Sequence, residues 1–138
     1  MCGGAMYIRD EEIQKVYFPN PKALLPVLKR DDSLVYLPWG RREKQAGHLP
    51  LGGWAQYESL KKGIWDKYFP RHVKIMVNEF MERDKATGQT SWFSVTKGSY
   101  IHGIIAHLQD ETRLYVVTIP AHDKDIHDRW PRIIVNTR

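Results

Sequence analysis

Period-2 alternation dominates the second half of the chain. Val73, Ile75 and Val77 recur in period 2 over 72–77, and Trp92, Phe93 and Val95 mark 91–96. An apolar run interrupted by Gly103 fills 100–108, β-branched and aromatic residues fill 113–119, and 132–135 is short and apolar. Each of these predicts a strand, with turn chemistry between them in 84–90, 97–99 and 109–112. In the first half, 34–37 predicts a strand closed by Pro38-Trp39-Gly40, and 23–28 is short and apolar. Residues 1–20 read as a segment entering the fold, with Pro19 and Pro21 punctuating a turn, and 41–53 as a basic, then Gly/Pro-rich loop. Only 56–68 carries helical spacing: Leu60, Ile64 and Tyr68 recur at i, i+4 and i+8, Gly63 weakens the run, and Pro70 ends it.

One helix amid at least five strands predicts the α+β fold class, β-dominated, as a single domain over 1–138. The 138 residues suffice for one core without a disulfide or metal. A formal charge of +5 permits a polyanionic partner without requiring one. A single cysteine excludes an internal disulfide and any Cys-rich zinc site. No apolar run reaches the roughly 18 residues of a membrane span, so no membrane association is expected. The N-terminus lacks the pattern of a signal peptide, and a cytoplasmic, reducing setting is the expectation.

The one cysteine is Cys2. Removal of the initiator Met would leave it as the mature N-terminus, with an α-amine and a thiol on one residue. Such a 1,2-aminothiol attacks an aldehyde through the amine to give an imine, and the thiol then closes a thiazolidine ring. The adjacent ammonium lowers the thiol pKa, and Gly3 and Gly4 let another chain approach closely. A second candidate is the polar loop 121–131, in which His127 is a base when neutral or an acid as imidazolium, oriented by Asp125 or Asp128. His122 and His127 with these aspartates form at most a weak metal site; no metal and no cofactor is expected. The third candidate is Glu82, placed at the end of an apolar strand, where a carboxyl with a raised pKa serves as general acid/base. An ordinary exposed glutamate at the start of a turn is the plainer alternative.

The order of these elements resembles the SRAP family, the SOS response-associated peptidases. The resemblance spans nearly the whole chain: Met1-Cys2-Gly3 at the start, Pro38-Trp39-Gly40 after a strand, 55–59 opening the helix, Phe80-Met81-Glu82, and Asp125-Ile126-His127-Asp128-Arg129-Trp130-Pro131 after Val117-Thr118. It implies an SRAP-like, barrel-type sheet with few helices. It also implies covalent capture of abasic sites in single-stranded DNA through the N-terminal cysteine, as part of a DNA damage response. Cys2 would be the nucleophile, Glu82 and His127 would assist proton transfers, and Thr118 would line the site. The same cysteine is proposed in the family to remove the residues before it, hence the peptidase name.

The sequence departs from the family where DNA is held. Gly4 replaces an arginine, Trp54-Ala55-Gln56-Tyr57-Glu58 stands where Asn-Ala-Arg-x-Glu is usual, and Arg83 replaces a tryptophan. The substrate-binding set expected here is Trp39, Arg41, Arg42, Arg129 and Trp130, because cations interleaved with aromatic rings suit single strands, together with Trp54, Gln56 and Thr118, which the resemblance implies by their positions. Monomer is the favoured state. Two alternatives stay open: a cysteine peptidase or amidohydrolase that exposes Cys2 by autoproteolysis, and a non-catalytic module that binds single-stranded nucleic acid.

Overall fold

The computed structural model describes residues 2–84, 86–121 and 129–135. Strands run β1 (Cys2–Arg9), β2 (Glu12–Tyr17), β3 (Leu24–Leu28), β4 (Leu34–Pro38), β5 (Trp54–Gln56), β6 (Arg71–Ile75), β7 (Glu79–Arg83), β8 (Thr90–Ser94), β9 (Tyr100–Leu108), β10 (Glu111–Pro120), β11 (Arg129–Pro131) and β12 (Ile133–Ile134). One helix, α1 (Tyr57–Lys61), follows β5. The fold is β-dominated, as the alternation predicts. No helix among the described residues is long and apolar enough to cross a membrane.

The strands form two open sheets. The smaller has the order β2-β1-β7-β8; the larger runs β11-β10-β9-β6-β3-β4, with β12 on β9 and β5 parallel to β10. The larger sheet curls without zipping shut. Just past β4, Trp39 makes an isolated parallel bridge to Leu114 of β10, and the Gly40 N–H donates to the Leu114 carbonyl at 2.7 Å.

Strand alternation sorts β9 and β10 between two cores. Ile101, Ile105, Leu114 and Val116 face a core shared with both sheets, which also holds Ala5, Tyr7, Leu25, Val27, Trp39, Ile75 and Phe80. Ile104, Ala106, Tyr115 and Val117 face a second cluster with Leu49, Ala55 and Trp65, against which Tyr57, Leu60 and Tyr68 pack. Because one core spans both sheets, the described residues behave as one domain.

Three expectations need correction. The helix predicted over 56–68 breaks after Lys61, and only a short 3-10 turn, Asp66–Tyr68, resumes it. Gly63 takes a positive φ of 79° there, which a continuing helix excludes. The segment 1–20 is a full hairpin, β1 and β2 in register from Gly4↔Tyr17 to Arg9↔Glu12. Glu82 does not trail the strand at 72–77; it sits inside a separate strand, β7.

The loop after Trp39 is held by polar contacts to β10 rather than by regular structure of its own. Arg113 donates to the Gly40 and Ala46 carbonyls and pairs with Glu111 at 2.6 Å, while Glu111 accepts the His48 and Leu49 N–H groups. Gly40 opens the loop at φ 59°, and a Cβ there would lie on the Gly52 carbonyl oxygen. Gly40→Ala therefore meets both left-handed backbone and backbone contact. We expect a loss of about 2 kcal/mol or more, read as a lower urea midpoint with unchanged slope; an unchanged midpoint would show that the loop yields freely.

Candidate active site

The N-terminal strand places the Cys2 backbone opposite a buried glutamate. In the β1–β7 pairing Cys2 stands opposite Glu82 and Gly4 opposite Met81, so two steps on β1 match one on β7. This bulge at Gly3 takes Cys2 out of the regular ladder, a device that recurs beside active sites. Gly4 is buried with its Cα close to the Tyr17 ring and the Val16 carbonyl: an added Cβ would lie 3.1 and 3.2 Å from them.

Glu82 has no exposed surface. It lies on the same face of β7 as Phe80, two residues earlier, whose ring meets Trp130 of β11 edge-on at 4.9 Å. Burial pushes the Glu82 carboxyl up to about 7, with the positive amino terminus of the chain opposing the shift. A group half protonated near neutrality both gives and takes protons.

β11 joins this corner to the end of β10. Thr118, also buried, pairs with Gln56 of β5 and Pro131 of β11. Arg129 donates through Nε to Thr118 Oγ1 at 3.2 Å and through Nη2 to the Thr118 carbonyl at 2.7 Å. Its two terminal nitrogens also grip Glu58 at the start of α1, at 2.7 and 2.9 Å. That guanidinium holds the Glu58 carboxyl down at about 2. Gln56 is exposed beside this network.

The structure thus gathers the Cys2 backbone, Glu82 and Trp130 at one corner, with Thr118, Arg129 and Gln56 adjoining it through β10 and β11. His127 lies outside the described residues, as do His122, Asp125 and Asp128. Four other residues belong elsewhere. Trp39, expected to stack on bases, is fully buried and its indole N–H donates to the Gly53 carbonyl at 3.0 Å. A ring without exposed surface stacks only on its core neighbours, here Phe18 and Trp54. Trp54 is half-buried in the same aromatic group, with its indole nitrogen inside. Arg41 donates to the Gln45 and Leu49 carbonyls, and Arg42 to those of Phe18 and Trp39, so a phosphate would compete with bonds that shape the loop.

One polar cluster escaped sequence reasoning. Arg132 Nη1 lies 3.0 Å from His102 Nδ1, and His102 Nε2 lies 2.7 Å from His72 Nδ1. Arginine only donates, so His102 accepts at Nδ1 and carries its proton on Nε2. Tyr57 caps the group, with the Arg132 guanidinium 4.3 Å above its ring. Burial, His72 and Arg132 together push the buried His102 down to about 4. The cross-strand register of β6 with β9, which brings the two histidines together, has no signal in a single sequence. Among the described residues no group of three or more His, Cys, Asp or Glu side chains is placed to hold a metal ion.

A scan against protein-family models finds no match for this chain, and a search of curated proteins finds none either.

Two titrations follow. His102 should keep its ring-proton NMR shifts flat from pH 8 to pH 5; an inflection near 6.5 would break the assigned hydrogen-bond chain. For Glu82, a carboxyl raised from 4.5 to about 7 keeps its proton in the folded state after the unfolded chain has lost it. Its contribution to stability is present below about 4.5 and is lost as pH rises toward 7, a change of about 3 kcal/mol. Glu82→Gln should remove this fall between pH 4.5 and 7.5 in urea unfolding. An equally steep fall in the variant would place the titration elsewhere.

Proposed function

We propose that this chain is a compact, divergent SRAP-like protein that captures abasic sites in single-stranded DNA, with the barrel-type sheet of that family in an incompletely closed form. The observation that carries the reading is the register of β1 on β7, which sets the backbone of Cys2 opposite a fully buried Glu82 whose carboxyl titrates near neutrality.

The chemistry is balanced without a cofactor. With Met1 removed, the Cys2 amine adds to the aldehyde of the ring-opened sugar, and loss of water gives the imine. The thiol sulfur then adds to the imine carbon while its proton passes to nitrogen, closing the thiazolidine. Glu82 in its protonated form supplies the proton for water loss, and as carboxylate it takes the proton from the amine. His127 serves the sugar oxygen during ring opening. Thr118 and Arg129 line the approach, and Trp130 and Gln56 remain as contacts for the strand. Burial of Trp39 and commitment of Arg41 and Arg42 leave a smaller cradle than the residue types alone suggest, so affinity for intact strands should be low.

Mature protein mixed with abasic single-stranded DNA should give, by intact-mass spectrometry, the sum of the two masses less one water. Cys2→Ala should give no adduct, and Glu82→Gln should slow its formation by about a hundredfold. Absence of the adduct from folded protein lacking Met1 overturns the proposal. Salt-dependent binding without an adduct would favour the non-catalytic module, and turnover of a peptide or amide the hydrolase.

A further inference from the structure

The curled sheet is filled unevenly along its length. Its inward-facing side chains are closely buried in the middle, at Leu25, Ile75, Ile101 and Leu114. Toward the β3–β4 turn the same rows end in Val35, Leu37 and Val73, which are only half-buried, above the buried Val27 and Ile105. No side chain of the described residues closes this end, and a cavity of about 950 Å³ opens there. Thr112 lies on its rim and Thr118 at the opposite end of β10; six residues of strand separate them by about 20 Å.

The mouth of this cup has a strong sign. Lys29 and Arg30 from the β3–β4 turn and Arg71 from β6 lie around it, against one carboxylate, Asp32. Arg30 and Arg71 are exposed and make no ion pair among the described residues. The geometry points to a second binding site in this protein, for a small amphipathic anion: an aliphatic or aromatic body against Val35, Leu37, Val73 and Ile105, and a carboxylate at the Arg30–Arg71 rim. An apolar wall rewards the body by removing it from water, and paired guanidinium groups select the anionic head over a neutral one. The volume matches a ligand of ordinary small-molecule size. A long strand of nucleic acid is a poor occupant, because the site is a cup closed below by the core.

The test uses the full chain and two probes, decanoate and its neutral counterpart decanol. Methyl NMR of the folded protein should show saturable decanoate binding, with shifts at Val35, Leu37, Val73 and Ile105 and none at Val116 or Val117. Decanol should bind at least tenfold more weakly. Arg30→Ala combined with Arg71→Ala, both at exposed positions, should weaken decanoate at least tenfold and leave decanol unchanged. Val73→Glu, which places a like charge in the wall, should abolish decanoate binding. The proposal falls if decanoate produces no saturable shifts, if the shifts lie outside the cup, or if the double variant binds both probes as the parent does.

Discussion

The molecule depends on one strand being buried on both faces. Leu114 and Val116 of β10 enter the core that joins the two sheets, while Tyr115 and Val117 enter the cluster beneath α1. A strand covered on both sides has no water to satisfy its backbone, so every N–H and carbonyl needs a protein partner. β10 finds them in β9, in β5, in β11 and in the bridge from Trp39 and Gly40. Those four pairings set the curl of the sheet and the path of the loop after Trp39. They also set the location of Thr118.

The two ends of β10 differ because they are filled differently. At one end β11 folds back, Trp130 packs on Phe80, and Arg129 binds both Thr118 and Glu58. Beside it Glu82 is wholly buried, and its carboxyl holds its proton to an unusually high pH. At the other end no element of the described residues covers the last apolar layer, and the charged residues around it are mostly cations. One strand thereby separates a buried acid from an open cationic cup.

Much of the strand content is legible in the alternation of the chain. The runs at 72–77, 91–96, 100–108 and 113–119 all overlap observed strands, because a half-buried or fully buried strand imposes period 2 or an apolar run on its sequence. The hairpin β1–β2 is harder to read. Its second strand is an edge strand with exposed Glu12, Ile13 and Lys15, so no core filters those positions. The helical spacing over 56–68 misleads for another reason: Ile64 is 56% exposed, and Gly63 turns the chain before a second turn can pack. Among the candidate site residues, Trp39 shows the limit of composition. An aromatic residue beside arginines suggests a stacking surface, yet burial of its ring in the core outweighs anything a surface position offers.

By itself, the sequence determined that the fold is dominated by strands and that its lone cysteine stands near the amino terminus, because periodicity and count are local properties. It also singled out Glu82 as a residue to watch. Only the tertiary structure decided that Glu82 is wholly buried, that Cys2 is its partner across the ladder, and that Arg41, Arg42 and Trp39 serve the loop and core. Each of those facts is a matter of register or of long-range packing. A carboxyl's pKa is set by the low-dielectric surroundings that distant strands build around it, and that environment exists only once they have met.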